Sequence, residues 1–204
     1  MKIDTSVLLA AALCLLLTSC VTDSVNPLSS PDTAKADPRL VGDWRGGTDD
    51  DPNTCHFSIT KAPWMHVDII HPKEKSEPNE LPDSYDFFPT VLGKETFLNV
   101  VMVGKDTQGH PTKSYMILRY KFTNDHVLHM WMLSDEKAAA AVRTGKLKGL
   151  IKDNGPALGQ PGRRDFDVTL QDTSGNVARF IQGSDLDDLF NNKLNGFYRV
   201  SATR

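Results

Sequence analysis

The feature that most constrains the fold is a series of short segments, rich in β-branched and aromatic residues, that begins after Arg39. Turn-forming residues bound each segment, which is typical of strands separated by tight connections. Three connections, 105–109, 123–125 and 172–176, are short enough to be hairpin turns, so neighbouring strands should pair antiparallel. The sequence therefore predicts a mainly β domain, an antiparallel meander that forms either a barrel or a sandwich. The candidate strands are 40–45, 55–60, 64–70, 85–91, 97–103, 114–122, 127–133, 165–171, 178–182 and 196–201.

Two short helices are predicted among these strands. In the first, 134–143, Ser134 is suited to cap the amino end, acidic residues follow in the first turn, and Gly145 closes the other end. In the second, 184–192, Ser184 is the predicted cap, and apolar residues follow at helical spacing. Two segments rich in Pro, Glu or Gly, 72–83 and 152–162, are predicted to be loops.

The amino-terminal residues have the pattern of an export signal. Lys2 supplies positive charge, and the eleven residues 7–17 form an apolar run. This run is too short to span a bilayer, which needs about 20 residues. The segment 17–20, Leu-Thr-Ser-Cys, resembles the lipobox of bacterial lipoproteins. The resemblance implies cleavage before Cys20, a diacylglyceryl thioether on its sulfur and an acyl group such as palmitate on the new amino terminus. The membrane is therefore the implied partner.

The lipobox resemblance also implies a location and a domain plan. Val21 stands where an Asp tends to retain such proteins in the inner membrane, so the outer membrane, at its periplasmic face, is favoured. Residues 1–19 are then a signal peptide. Residues 20–38, rich in Ser, Thr, Asp and Pro, are predicted to be the lipidated cysteine and a flexible tether. Residues 39–204 form a single β-rich domain, in which Cys55 lacks a disulfide partner and is predicted to be a small buried side chain.

Gly42-Asp43-Trp44, at the start of the domain, resembles the Gly-X-Trp element that opens the first strand of lipocalins and related barrels. In those barrels the Trp closes one end, and a basic residue from the last strand packs over its ring. Arg199 stands in the predicted last strand, and an Arg–Trp contact is favourable as a cation–π interaction. The resemblance implies a lipocalin-like barrel with Trp44 and Arg199 at one end. It also implies a small apolar or amphipathic ligand.

Two other kinds of function stay open. The domain could be a ligand-free interaction or scaffold module of the cell envelope, which predicts a filled core and an exposed apolar patch or strand edge. It could also be a hydrolase-type enzyme whose catalytic groups are scattered through the sequence. The chain contains no Gly-X-Ser-X-Gly, Ser-X-X-Lys or His-Glu-X-X-His motif, so we predict no catalytic residue and disfavour an enzyme.

Charge and histidine placement exclude further classes. The formal net charge of −3 gives no basis for nucleic-acid binding, which requires a basic surface. His66 and Asp68 share one face of a predicted strand, but the histidines do not form the three- or four-ligand set that zinc needs. The acidic segment 49–53 lacks the spacing of a calcium loop and is interpreted as a solvated turn. We therefore predict neither a metal nor a cofactor.

A group of large side chains could line a cavity in the domain. Packing in a filled core is the alternative for each of them, because the interior of a small barrel can be occupied by its own side chains. The group consists of Trp64, Trp131, Met102, Met130 and Met132.

Overall fold

Strands dominate the structure, a computed structural model that describes residues 22–48, 51–70, 83–105, 108, 110–156, 164–194 and 196–200. Cys20 lies outside these residues, so its lipidation stays a prediction. The described strands are β1 (Thr22–Ser24), β2 (Gly42–Thr48), β3 (Asp51–Lys61), β4 (Trp64–Ile70), β5 (Asp83–Leu92), β6 (Glu95–Lys105), β7 (Pro111–Asn124), β8 (Val127–Met132), β9 (Gly149–Pro156), β10 (Arg164–Leu170), β11 (Asn192–Lys193) and β12 (Phe197–Arg199). The described helices are a 3-10 turn (Pro31–Thr33), α1 (Asp135–Arg143), α2 (Ser174–Gln182) and α3 (Leu186–Leu189).

Eight of the strands close into an antiparallel barrel. Strands β2 to β8 follow one another as a meander, each paired with the next. Strand β12 closes the ring because it pairs antiparallel with both β8 and β2. The predicted antiparallel barrel is therefore confirmed, its form is consistent with a lipocalin-like fold, and the sandwich alternative is not what the chain adopts.

The centre of the barrel is filled by apolar side chains. Alternate residues of each strand point inward, and opposite residues on paired strands share a face. Cys55, for example, lies opposite Trp44 on β2 and opposite Ile69 on β4, and all three side chains point inward. The buried side chains of this core are Leu40, Trp44, Cys55, Phe57, Met65, Val67, Phe87, Leu98, Val100, Leu118, Tyr120, Leu128 and Met130.

Strand β7 has two neighbours along one of its edges. Its first part pairs with β1 at Tyr115 and Met116, and its second part pairs with β8 from Leu118 onward. Strand β1 also pairs in parallel with β10, which pairs with β9. The helices and this side sheet pack on the outer wall of the barrel and enclose a second core. Its members include Leu28, Phe97, Ile117, Leu133, Phe166, Val168, Val177, Ile181 and Phe190.

The prediction of a flexible tether over 20–38 is wrong for residues 22–38, which pack on the domain. Leu28 is buried, and its backbone N–H donates to Oδ1 of Asn99 over 2.7 Å. The Asn99 side chain in turn donates to Thr90 over 2.8 Å and to the carbonyl of Phe88 over 3.2 Å. Polar residues that look unstructured in sequence are held here by hydrogen bonds to strands distant in the chain, which no local pattern reveals.

Helix α1 confirms the prediction over 134–143, and the Ser134 side chain accepts from the N–H of Lys137 as a cap. The predicted hairpin 172–176 and strand 178–182 are wrong, because helix α2 occupies Ser174–Gln182. Thr173 caps it, and Val177 and Ile181, one turn apart, both point into the second core. A short apolar run does not by itself distinguish a strand from a helix.

Two further boundaries differ from the prediction. Helix α3 is shorter than 184–192 and is capped by Asp185, since Ser184 donates to the carbonyl of Phe180 instead. The predicted loop 152–162 begins inside β9, which extends to Pro156.

No helix in the part of the chain that the structure describes has the length and apolar character needed to cross a bilayer.

Candidate functional site

The two ends of the barrel differ in chemistry, and the first is built around Trp44. This side chain is fully buried, and its indole N–H donates to the carbonyl of Leu40 over 2.7 Å. The guanidinium carbon of Arg199 lies 4.4 Å from the centroid of a Trp44 ring, and the two residues are paired across β2 and β12. The contact implied by the resemblance to lipocalins is therefore present.

Backbone geometry explains the glycine of the Gly-X-Trp element. Gly42 has a φ of 118°, a conformation that side chains rarely adopt. A Cβ at this position would also lie 3.3 Å from a terminal nitrogen of Arg199. The same guanidinium donates to the carbonyls of Val41, Arg39 and Asp125. Arg199 thus ties the chain entering the first barrel strand to the hairpin between β7 and β8.

The segment before β2 covers this end. Leu40 is fully buried against the barrel core. Asp37 accepts hydrogen bonds from Arg39 and from the Tyr120 hydroxyl, the latter over 3.0 Å. Burial alone would raise the pKa of Asp37, but these hydrogen bonds hold it below its ordinary value. Burial, with the nearby Asp37 carboxylate, raises the pKa of Tyr120. This end is closed by packed and hydrogen-bonded groups.

The opposite end carries a ring of half-buried apolar side chains, which we call the mouth ring. Each belongs to the inward-facing set, as the strand register shows for Met116 opposite Val100 and Met132 opposite Leu118. Residues 49–50, 71–82, 106–107 and 109 lie outside the described residues. The mouth ring consists of Ile69, Tyr85, Met102, Met116, Met132, Leu194 and Phe197.

Close packing across the last strand shapes one side of the mouth ring. Phe197 lies over Gly46, where an added Cβ would be 2.5 Å from the Phe197 ring. The missing side chain of Gly46 therefore lets the aromatic ring lie directly on β2. Burial, followed by the charge of Asp83, raises the pKa of Tyr85, so its hydroxyl stays protonated and can donate a hydrogen bond. The ring combines adaptable methionines, aromatic faces and one hydroxyl.

Two clefts described in the structure lie outside the barrel. One, of about 320 Å³, lies between α1 and the α2–α3 corner and is lined by Lys137, Phe180 and Asp188 among others. Lys137 and Asp188 form an ion pair of 2.7 Å across it. The other, of about 240 Å³, lies between the β5–β6 hairpin and the helices. Neither cleft was predicted from the sequence.

His66, the histidine singled out in the sequence, lies on the outer wall, since its neighbours Met65 and Val67 are the buried residues of β4. His66 contacts Asp86 over 2.7 Å and Asp68 over 3.2 Å, which confirms that His66 and Asp68 share a face. The hydrogen bond with Asp86 is the main cause that raises the pKa of His66. Ser84 donates a hydrogen bond to the carboxylate of Asp68 on the same outer face.

No protein family model matches the sequence. No curated protein and no solved structure matches the chain either. The geometry of the two barrel ends therefore carries the functional argument.

The other residues that the sequence analysis considered do not form a common site. Cys55 is a free, buried thiol whose pKa burial raises to about 11, which agrees with the prediction of a small buried side chain. Among the residues the structure describes, no group of three or more His, Cys, Asp or Glu side chains could hold a metal ion. Trp64 and Trp131 lie on the outer wall, against Phe88 and Arg119 respectively, and line no barrel cavity.

The sequence identified only part of the mouth ring. Met102 and Met132 were predicted to line a cavity or the core, whereas Ile69, Tyr85 and Phe197 were not singled out. The signal that could have found them is register: once Trp44 is placed inward, every second residue on each paired strand follows.

Proposed function

We propose that this domain binds a small apolar or amphipathic molecule at the mouth ring, and that lipid on Cys20 holds it at the bacterial cell envelope. The observation that carries the proposal is the contrast between the two barrel ends. Packed and hydrogen-bonded groups close the end at Trp44 and Arg199, whereas seven apolar side chains stay half-buried at the other.

The chemistry of the mouth ring suits an apolar partner. Each apolar side chain that becomes fully covered contributes roughly 25 cal/mol per Å² of surface removed from water. Methionine side chains adapt to differently shaped ligands because they are unbranched and polarizable. The Tyr85 hydroxyl offers one hydrogen-bond donor for a polar head group. A ligand with a short apolar part and one polar group fits this combination.

The filled centre of the barrel limits how far a ligand can enter. Phe57, Phe87 and Val100 are buried below the mouth ring. Displacing these buried side chains would require repacking the core, which is costly in a close-packed interior. We therefore expect the ligand to lie across the mouth and not inside the barrel centre.

A second candidate function is a ligand-free interaction module, which the outer edge of the side sheet favours. Among the described strands, β9 pairs only with β10, and Leu150 on it is 61% exposed. An uncovered edge strand offers backbone groups to which a partner strand can pair. On this alternative, the mouth ring has no ligand.

The test of the main proposal is binding of an apolar fluorescent probe, N-phenyl-1-naphthylamine, together with native mass spectrometry of protein purified from the envelope. We expect one probe or one copurified molecule per chain. Met102→Lys should abolish binding because it places a charge in the mouth ring. Val103→Lys is the matched control, since Val103 neighbours Met102 but is 77% exposed on the outer wall. Equal binding by the two variants would refute the proposed site.

The membrane location needs its own test. Cys20→Ala should abolish incorporation of labelled palmitate and leave the protein unprocessed or soluble. Palmitate incorporated by this variant as by the wild type would contradict the lipobox interpretation.

A further inference from the structure

The charged side chains of the barrel's inner face are divided between its two ends. Inward positions follow from the register, because opposite residues on paired strands share a face. Among the described residues at these positions, Arg199 is the one cation, and it lies at the closed end over Trp44. At the mouth ring the charge is negative, since Asp83 lies opposite Ile69, a member of the ring. The two ends therefore differ in the sign of their charge as well as in their packing.

Asp83 and Tyr85 lie side by side on β5. They are two residues apart in one strand, so both side chains point to the same face. Their proximity is also expressed in the pKa of Tyr85, which burial and then the charge of Asp83 raise. Asp83 is exposed, whereas Tyr85 is half-buried. A carboxylate and an aromatic ring therefore lie together at the edge of the mouth ring.

A second carboxylate, that of Asp23, lies beside another part of the ring. Asp23 is opposite Met116, so its side chain shares the face of that methionine. Strand β1 is held on both sides, by β7 and by β10, which fixes the position of Asp23. Farther out on this face of the side sheet, Lys152 pairs with Asp167 over 3.2 Å. Asp23 thus extends the negative charge at the mouth from β5 to β1.

We propose that the ligand of the mouth ring is a cationic amphiphile, an apolar chain that ends in a protonated amine. This inference rests on the proposed function, because the apolar ring supplies the site and the carboxylates decide only the charge of the head group. An ammonium beside Asp83 would gain a charge-assisted hydrogen bond, and the ring of Tyr85 would attract the same charge. An anionic head group would instead be repelled by Asp83 and Asp23, with Arg199 at the opposite end of the barrel.

The experiment measures displacement of N-phenyl-1-naphthylamine from the full chain by decylamine, 1-decanol and decanoate. These three ligands share one apolar tail, and at neutral pH their head groups are positive, neutral and negative. We expect decylamine to displace the probe at the lowest concentration and decanoate at the highest. Asp83→Asn should weaken decylamine about two- to fivefold, the contribution of a solvent-exposed ion pair, and leave 1-decanol unchanged. Asp23→Asn should act in the same direction, and high ionic strength should reduce the preference of the wild type.

Asp86→Asn is the matched control. It removes the same charge from the same strand, but Asp86 lies on the outer wall, where it contacts His66. This variant should keep the wild-type order and affinities, and circular dichroism checks that all variants are folded.

Three results would overturn the inference. If the wild type binds the probe but decylamine and decanoate displace it equally, the apolar site stands and the charge preference is refuted. If Asp83→Asn and Asp86→Asn weaken decylamine equally, the preference reflects the net charge of the chain and not the mouth. If the wild type does not bind the probe, the apolar site is refuted and this inference with it.

Discussion

Replacing Trp44 by alanine tests the closed end of the barrel directly. The side chain is 0% exposed, so its removal leaves a cavity that the rigid barrel wall cannot fill. Truncating a buried Trp to Ala costs about 3–5 kcal/mol. The Leu40 carbonyl also loses its indole donor, at about 1 kcal/mol, and Arg199 loses a ring contact of about 0.5–2 kcal/mol. These contributions overlap, so we expect a loss of about 4–5 kcal/mol in the free energy of unfolding.

Urea denaturation followed by far-ultraviolet circular dichroism measures this loss. Trp44→Phe separates the contribution of ring packing from that of the hydrogen bond, since a ring remains while the indole N–H is removed. This variant should cost about 1–2 kcal/mol. Trp64→Ala is the control for losing any tryptophan, because Trp64 is half-buried on the outer wall, and should cost below about 2 kcal/mol. If Trp44→Ala lost less than about 1 kcal/mol, the ring would not be the plug of this end.

Three further outcomes are expected. Asn99→Ala should destabilise the domain by about 2–4 kcal/mol in urea denaturation, because the Leu28 N–H and two strand acceptors lose their partner; a loss below about 1 kcal/mol would contradict the role of Asn99 in holding residues 22–38. The pairing with Asp86 raises the folded-state pKa of His66, so its stabilising effect is present below the unfolded pKa and is lost as pH rises through the folded one. His66→Gln should therefore lose more stability at about pH 5.5 than at about pH 8.5, and an equal loss at both would refute the charged pairing. The Cys55 thiol, with its pKa raised to about 11, should react with Ellman's reagent in urea but not in the native protein; fast native reaction would show that it is accessible.

Local patterns predicted the barrel strands and one helix well. Hydrophobic alternation and tight turns located the strands from β2 to β8, because both signals act within a few residues. Ser134 and the acidic residues after it predicted α1 for the same reason. Helix α2 was missed because Val177 and Ile181 fit either period over so short a run, and only the second core decides between them.

The candidate sites show the same difference between what the sequence predicted and what the tertiary structure decided. Trp44 and Arg199 were paired by a resemblance of sequence, and the closed ring brings them into contact although 154 residues separate them in the chain. The mouth ring could not be assembled from sequence, since its seven members come from seven different strands or connections. Their shared face depends on register, which is set across the sheet.

Residues 22–38 show most clearly what the amino-acid sequence determined alone and what it did not. Composition correctly described this segment as polar and rich in turn-forming residues. Thr22–Ser24 becomes a strand only because β7 and β10 each present an unpaired edge on either side of it. Leu28 is buried only because Asn99 and the second core lie opposite. Strand alternation, caps and turns act between neighbours in the chain and are readable there, whereas edges, registers and shared cores exist only once distant segments have come together.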